Sequence, residues 1–287
     1  MSERVLIAGC GDLGERVARS LLARGDEVYA IRRHPPEDGG AIRWLSADLT
    51  RPETLIALPR HITQLVFAPA PDARQQERYR AVFLDGLRNV LNALDASELR
   101  RSLLVSSSAV YGEHGGDWVD ESTPPAPLSF NGEVLWEAER MLAARATESV
   151  ALRLAGLYGP GRTQLLDRLM AAQARAPRTA PHWANRIHVD DAAAAIAHLL
   201  ALPHAEQVYV GVDDTPLPLH VFYDDLAAKI GAPPVPEGPA PTAVGSKRLS
   251  NARLRASGFS MMWPDARDGY AQMLRSMQSS ILPARQD

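Results

Sequence analysis

Three glycines near the amino terminus have the spacing of a loop that binds phosphate groups. Gly9, Gly11 and Gly14 follow the apolar run 5–8 and precede a helical pattern with one apolar face. In a dinucleotide site, Gly9 would permit a tight turn, Gly11 would let the backbone approach a pyrophosphate, and Gly14 would let the helix pack on the strand. The helix N-terminus would offer free N–H groups to the phosphates. The sequence therefore predicts a nucleotide site, with an ordinary glycine-rich turn as the alternative.

Two arginines at the end of the next predicted strand bear on which dinucleotide would bind. Arg32 and Arg33 follow the strand 27–31, where a site for NAD usually carries an acidic residue that accepts hydrogen bonds from the ribose. A carboxylate would repel a 2′-phosphate, whereas a guanidinium pairs with it through two hydrogen bonds. The sequence thus favours NADP over NAD, unless these arginines are simply solvated surface residues.

The elements that would position this loop alternate between strands and helices. Such alternation predicts an α/β fold, a Rossmann-like doubly wound parallel sheet whose ligands bind beyond the carboxyl ends of the strands. Further strands are predicted at 41–45, 64–68, 102–106, 150–154 and 207–210, with helices at 79–94, 132–145 and 190–202.

The last third of the chain is broken by prolines into short elements and retains helical patterns at 219–230 and 265–277. It is interpreted as a smaller lobe that closes over a substrate. The predicted division places 1–155 and 187–205 in the NAD(P)-binding Rossmann domain and 156–186 and 206–287 in the substrate-binding lobe. Residues 279–287 are expected to form a frayed tail.

Composition narrows the class of protein. The 287 residues are 46% hydrophobic and 23% charged, with a net charge of −3, so no basic field indicates a nucleic-acid partner. No apolar run is long enough to cross a membrane, and the first strand begins so early that no signal peptide is expected, which favours a cytoplasmic protein. The single cysteine, Cys10, excludes an intrachain disulfide and is interpreted as a small filler rather than an oxidisable thiol. No His/Asp cluster has metal-ligand spacing, so no metal is expected.

A cluster of hydroxyl groups follows the predicted strand 102–106. Ser106, Ser107, Ser108 and Tyr111 would lie at the carboxyl end of that strand, where a substrate carbonyl or hydroxyl would be held.

Together with the segments LRLAGLYGPG at 152–161 and RIHVDD at 186–191, these motifs resemble the extended short-chain dehydrogenase/reductase superfamily of the NAD-dependent epimerase/dehydratase type. The resemblance covers nearly the whole chain and includes KRLSN at 247–251. It implies that Asp48 contacts the adenine and that 68–70 line the cofactor after the fourth strand. The cofactor-binding residues expected on this basis are Gly9, Cys10, Gly11, Asp12, Leu13, Gly14, Arg32, Arg33, Asp48, Leu49, Ala68, Pro69, Ala70 and Ser106.

The resemblance also implies a catalytic pattern from which this chain departs. Ser107 matches the residue that hydrogen-bonds the oxygen at the reacting carbon, but Phe130 and Val134 stand where the superfamily has Tyr-x-x-x-Lys. The chain has two lysines, Lys229 and Lys247, and none of its tyrosines has lysine four residues on. Candidates for the missing proton donor are Tyr111, Glu133, His114 and Ser108, with a surface role as the stronger alternative for Glu133 and His114.

Polar residues later in the chain suggest a substrate site. Ser108, Arg153, Arg162 and Arg186 are predicted to bind a polar, anionic small molecule such as a nucleotide-sugar, although each arginine could instead form an interlobe ion pair. His188 and Asp190 are expected to be structural. By resemblance, a homodimer would form through helices 79–94 and 132–145.

The preferred interpretation is an NADP-dependent oxidoreductase or epimerase with an atypical active site. A non-catalytic sensor or scaffold protein that binds NADP(H) is the alternative, favoured by the absent Tyr/Lys pair.

Overall fold

The computed structural model describes residues 2–38, 40–146, 148–180 and 182–281. The strands are β1 (Arg4–Ala8), β2 (Glu27–Arg32), β3 (Arg43–Ser46), β4 (Gln64–Phe67), β5 (Arg101–Ser107), β6 (Trp118–Val119), β7 (Ser149–Leu154), β8 (Gly156–Tyr158), β9 (Trp183–Ala184), β10 (Arg186–His188), β11 (Val208–Gly211), β12 (Leu217–Pro218) and β13 (Arg248–Leu249). The α-helices are α1 (Asp12–Ala23), α2 (Gln76–Arg80), α3 (Gly86–Ala93), α4 (Phe130–Arg145), α5 (Gln164–Met170), α6 (Val189–Ala201), α7 (Leu219–Lys229), α8 (Ala252–Ala256) and α9 (Ala266–Ile281).

Seven parallel strands form the central sheet, in the order β11-β7-β5-β4-β1-β2-β3. Val5, Leu6, Ile7 and Ala8 of the central strand have no exposed surface, as expected for a strand covered by helices on both faces. The strand order reverses direction at β1 and β4, which opens a crevice at their carboxyl ends. The predicted α/β fold with a Rossmann-like doubly wound parallel sheet is confirmed.

Two helical layers cover the sheet. Helix α1 packs against α6, while α2, α3 and the π-helical segment Ala81–Asp85 that joins them pack against α4. The sequence predicted one helix at 79–94 in place of this three-part segment. Most other predicted elements are present with boundaries shifted by one to three residues, because helix and strand ends depend on tertiary contacts that the apolar pattern does not record.

The smaller lobe has its own apolar cluster, in which α5, α7 and α9 contribute Leu166, Phe222, Leu226 and Tyr270. The predicted assignment of all of 206–287 to this lobe needs correction. Strand β11 is the edge strand of the main sheet, and Leu254 of α8 belongs to the main core. Helix α9 extends to Ile281, so residues 279–281 of the predicted tail are helical. The other residues of that predicted tail, 282–287, lie outside the described residues.

Among the helices that the structure describes, none combines the length and apolar character required to span a lipid bilayer.

Candidate functional site

A cavity of about 340 Å³ lies at the carboxyl ends of β1, β2 and β4, where doubly wound sheets bind their ligands. Of the fourteen residues that the sequence predicted to bind a cofactor, thirteen line this cavity, and Ser106 does not. Its lining comprises Gly9, Cys10, Gly11, Asp12, Leu13, Gly14, Ile31, Arg32, Arg33, Ala47, Asp48, Leu49, Thr50, Ala68, Pro69, Ala70, Arg78, Val82, Val105, Leu157 and Arg162.

The three glycines of the loop have different geometric reasons for lacking a side chain. Gly9 has φ +84°, and a Cβ there would lie 2.4 Å from the Pro69 Cα. A Cβ on Gly14 would lie 3.0 Å from the Cys10 Sγ, because the first turn of α1 packs closely on the loop. A Cβ on Gly11 would meet no atom within 4 Å and would occupy the cavity itself. The loop is therefore open where a pyrophosphate would approach the backbone at the start of α1.

Cys10 lies inside this loop with 1% of its surface exposed. Burial raises the pKa of its thiol to about 12. The thiol is therefore protonated and a poor nucleophile at neutral pH, which supports its interpretation as a filler.

The two arginines at the end of β2, Arg32 and Arg33, are both paired with carboxylates. Arg32 Nη1 lies 3.0 Å from Glu15 Oε1 on α1, and Arg33 Nη1 lies 2.8 Å from Asp72 Oδ2. Arg78 of α2 also binds Asp72 and lines the same cavity. Sequence reasoning missed Arg78, since no local spacing connects it with the end of β2.

Asp48, the predicted adenine contact, follows β3 and lines the cavity. Its Oδ1 accepts hydrogen bonds from the Thr50 amide at 2.9 Å and the Thr50 hydroxyl at 2.8 Å. Burial alone would raise the pKa of this carboxyl, but these hydrogen bonds lower it, so Asp48 is ionised. The turn fixes the carboxylate of Asp48 in the lining of the cavity.

The serines at the end of β5 lie on two faces, because successive strand residues point to opposite sides. Val105 lines the cavity, and Ser107 lies two residues further on the same face. Ser107 Oγ accepts the Ala109 N–H at 3.2 Å, which leaves its hydroxyl proton for an acceptor in the cleft. Ser107 therefore remains a candidate for holding a substrate oxygen.

The opposite face of β5 contributes to a buried polar network. Ser106 Oγ donates to Glu139 Oε1 at 2.5 Å, and Arg153 Nη2 lies 2.7 Å from Glu139 Oε2. Arg153 Nη1 donates to the Tyr111 hydroxyl at 2.8 Å, and Tyr111 has no exposed surface. Burial raises the pKa of Tyr111 to about 12 despite the adjacent guanidinium. Glu139 gave no signal in the sequence beyond its place on a predicted helix.

The positions of these side chains correct four predictions. Ser106 does not line the cofactor cavity, Arg153 is held by Glu139 rather than free for substrate, and Tyr111 is enclosed in the core. Ser108 is 9% exposed and begins the short 3₁₀ turn Ser108–Val110, so it presents little surface to a substrate. For Ser106 and Arg153 the physical reason is strand alternation, which the sequence does not assign to a particular face, whereas Ser108 and Tyr111 lie in and after the turn that follows β5.

The first turn of α4 has no acid–base pair. Phe130 begins the helix and packs edge-on against the Tyr79 ring, with centroids 5.3 Å apart. Val134 is 1% exposed and lies in the main core. Glu133 is exposed to solvent. His114 is half-buried, and its backbone N–H donates a hydrogen bond to the Ser246 carbonyl oxygen at 3.1 Å. Neither position supports a role as proton donor in the cavity.

A second cavity of about 260 Å³ adjoins the first, and Arg162 and Leu157 line both. Arg186, a substrate ligand expected from the sequence, lines it together with Arg168, Tyr223 and Tyr270, which the sequence did not indicate. Arg162 also forms an ion pair with Asp12 at the start of α1. Three guanidinium groups thus surround a space beside the dinucleotide cavity, between the sheet and the smaller lobe.

His188 and Asp190 form the start of α6 rather than a chemical pair. His188 Nδ1 accepts the Asp190 N–H at 3.2 Å, and Asp190 pairs with Arg16 of α1. Burial lowers the pKa of His188, which keeps it neutral as an acceptor. Within the described ranges, no group of three or more His, Cys, Asp or Glu side chains is placed to hold a metal ion.

Comparison with known proteins agrees with the fold and the cavity. The family model described as the NAD dependent epimerase/dehydratase family matches residues 5–211. Because the match covers most of the chain, this protein belongs to that family, which identifies a nicotinamide dinucleotide as its cofactor class.

Similar proteins span nearly the whole chain. Protein YeeZ of Escherichia coli K12 is 31% identical over 276 residues, which cover 92% of this chain and 97% of that protein. The 2-alkyl-3-oxoalkanoate reductase of Stenotrophomonas maltophilia is 29% identical, covering 81% of this chain and 77% of the reductase. A solved structure of a candidate NAD-dependent epimerase/dehydratase from Methylobacillus flagellatus is 39% identical, with a TM-score of 0.82 over 97% of this chain and 100% of that chain.

Proposed function

We propose that this protein is an NADP(H)-dependent oxidoreductase or epimerase that acts on a polar, anionic small molecule. The observation that carries the proposal is the glycine loop, whose Gly11 leaves an open approach to the backbone at the start of α1. Arg32 and Arg33 at the adenosine end of the same cavity favour a dinucleotide with a 2′-phosphate.

The adjoining cavity supports the substrate class. Arg162, Arg168 and Arg186 carry positive charge around a space that opens beside the cofactor cavity, and Tyr223 and Tyr270 add ring surface. Guanidinium groups bind carboxylates and phosphates through paired hydrogen bonds, so an anionic group on the substrate would be held there. The reductase name of the Stenotrophomonas relative is consistent with chemistry at a carbonyl carbon.

Ser107 would orient the reacting oxygen. When bound, a nicotinamide dinucleotide supplies a carbon that gives or accepts hydride. The Ser107 hydroxyl, on the cavity face of β5, would hydrogen-bond the substrate carbonyl or hydroxyl oxygen and hold it in place. Because Phe130 and Val134 carry no proton donor, the proton on that oxygen would come from water in the cleft.

A second candidate function is a non-catalytic NADP(H) sensor or scaffold. It is favoured by Val134, whose apolar side chain is buried in the core at the position where the superfamily has its catalytic lysine. Such a protein would bind the dinucleotide in the same cavity and report its redox state to a partner without turnover.

Calorimetric titration with NADPH and, separately, NADH tests the cofactor proposal. We expect NADPH to bind at least about tenfold more tightly, since hydrogen bonds to charged groups contribute roughly 1.5–3 kcal/mol. The Gly11→Ala variant should lose most of this binding and keep the wild-type unfolding midpoint, because its methyl group enters the cavity without meeting protein atoms. Absence of binding by the wild-type protein would overturn the proposal.

Ser107→Ala separates the two candidate functions in a substrate screen that follows NADPH consumption. In an oxidoreductase the substitution should lower turnover by at least about tenfold, leave NADPH affinity nearly unchanged and be partly rescued by Ser107→Thr. If no carbonyl substrate is reduced by the wild-type protein while NADPH binds tightly, the sensor function is favoured.

A further inference from the structure

A single carboxylate joins two arginines at the adenosine end of the cavity. Asp72 lies on the loop between β4 and α2, and its Oδ2 accepts from Arg33 Nη1 at 2.8 Å. Arg78 Nε donates to Asp72 Oδ1 at 2.6 Å, and Arg78 Nη2 donates to Oδ2 at 3.0 Å. We call this arrangement of Arg33, Asp72 and Arg78 the Asp72 bridge.

The bridge connects two segments that both line the predicted adenosine site. Arg33 follows β2 and Arg78 belongs to α2, yet both line the cavity, whereas Asp72 does not. The side chain of Arg78 is 27% exposed, compared with 48% for Arg33. Two guanidinium groups from different elements thus converge on one anion, which is a side chain of the protein itself.

A carboxylate shared in this way resembles a bound phosphate. Both present several oxygens to planar guanidinium groups, and the hydrogen bonds in both cases are charge-assisted. The hydrogen bonds from Arg78 and Arg33 hold the pKa of Asp72 well below its usual value, so it is an anion at neutral pH. A phosphate carries more negative charge and more acceptor oxygens, so it could replace the carboxylate as partner of both arginines.

We propose that the 2′-phosphate of NADP(H) displaces Asp72 and that Arg78 binds it together with Arg33. This inference rests on the proposed NADP(H) function and adds a specificity-determining residue and an internal competitor to it. Asp72 keeps the two arginines oriented before the dinucleotide binds, and its negative charge opposes that binding. Arg78 therefore contributes to the affinity for NADPH and little to that for NADH.

The test is calorimetric titration of NADPH and NADH into the wild-type protein, Arg78→Gln and Asp72→Asn. Arg78→Gln should weaken NADPH binding about tenfold and change NADH binding by less than about twofold, because one charged pair is lost. Asp72→Asn should strengthen NADPH binding by about three- to tenfold with little effect on NADH, because the competing charge is removed.

An exposed ion pair on the same helical segment provides matched controls. Arg88 Nη1 lies 2.6 Å from Asp85 Oδ1, and neither residue lines the cavity. Arg88→Gln and Asp85→Asn make the same changes of charge at the surface, so they should leave both affinities unchanged. An effect equal to that of Arg78→Gln would mean that net charge alone accounts for it, and would overturn the inference.

The remaining outcomes separate this inference from the proposed function. If Arg78→Gln weakens both dinucleotides equally, or neither, Arg78 is not a phosphate ligand. If Asp72→Asn weakens NADPH binding, the Asp72 bridge holds the site together and does not compete with the phosphate. Either result leaves the wild-type preference for NADPH intact, whereas failure of the proposed function appears in the wild-type protein itself, which would then bind neither dinucleotide or fail to prefer NADPH.

Discussion

At the scale of single residues, the most consequential arrangement is the buried network behind β5. Arg153 uses Nε and Nη2 for Glu139 and Nη1 for Tyr111, so its charge is paired and each of its three nitrogens has a protein hydrogen-bond partner. The Arg153 and Glu139 side chains are 5% and 7% exposed. A residue that sequence reasoning assigned to substrate binding thus supports the strand that carries Ser107.

Removing one partner of this buried pair should be costly. Glu139→Ala would leave the Arg153 guanidinium buried without its counter-charge, and we expect the free energy of unfolding to fall by about 3–5 kcal/mol. Urea denaturation measures this change. The double variant Glu139→Leu with Arg153→Met should be more stable than Glu139→Ala, since neither charge then remains buried. If Glu139→Ala costs less than about 1 kcal/mol, water reaches the network.

At the scale of elements, the packing of α4 determines where the side chains of Phe130 and Val134 lie. Its first turn packs against the 3₁₀ turn after β5, and a Cβ on Gly132 would lie 2.3 Å from the Ala109 carbonyl oxygen. This close contact fixes the rotation of the helix, so that Val134 enters the core while Phe130 stays half-buried beside Tyr79.

We therefore expect that a Tyr-x-x-x-Lys pair introduced at positions 130 and 134 would destabilise the fold. Val134→Lys would place an ammonium group among apolar side chains, so the unfolding free energy should fall by several kcal/mol. Phe130→Tyr adds only a hydroxyl at a half-buried position and should cost less than about 1 kcal/mol. Thermal and urea denaturation of the two variants provide the comparison. A stable Val134→Lys protein would show that this side chain can reach the cleft.

At the scale of the whole molecule, two buried carboxylates connect the C-terminal segment to the main sheet. Asp191 of α6 accepts the N–H groups of Met262 and Trp263 at 2.7 and 2.9 Å, and Asp213 accepts the Ala266 N–H at 3.0 Å. Both carboxylates are 2% exposed. The start of α9, and with it one wall of the second cavity, is held by these contacts.

The connection through Asp213 should depend on pH. Burial raises its pKa to about 8 from the unfolded value of 3.8. Between these values the folded protein keeps a proton that the unfolded chain has released, so this group makes wild-type stability fall as pH rises. Asp213→Asn removes that dependence. The unfolding free energy of the variant minus that of the wild type should therefore increase from pH 4 to 8 and stay constant above pH 8. Urea titrations at several pH values measure the difference.

Asp120→Asn is the control for this pH effect. Hydrogen bonds from the Ser122 hydroxyl and N–H lower the pKa of the Asp120 carboxyl, so its titration lies below pH 3.8. The difference between this variant and the wild type should therefore stay constant from pH 5 to 8. A similar constant difference for Asp213→Asn would contradict a protonated Asp213.

Much of the fold and of the cofactor cavity could be predicted because both depend on local patterns. Apolar runs such as 5–8 indicate buried strands. The glycine spacing indicates a turn at which an added side chain would collide with neighbouring atoms or fill the cavity. The arginine-lined second cavity could be predicted only in part. Arg162 and Arg186 lie in it, but Arg153 does not, and no pattern connected Arg168, Tyr223 or Tyr270 with it. These residues come from separate elements of the smaller lobe, and their convergence is a long-range contact.

The sequence by itself determined the α/β class, the family and the position of the dinucleotide loop, since each follows from residue types at short, regular spacings. Only the tertiary structure decided which face of β5 each hydroxyl takes, because strand alternation depends on register with the neighbouring strands. The tertiary structure also decided that Arg153 forms an ion pair with Glu139 and that Arg33 and Arg78 both bind Asp72. Such pairings join residues far apart in the chain, and the packing of whole elements brings them within hydrogen-bond distance.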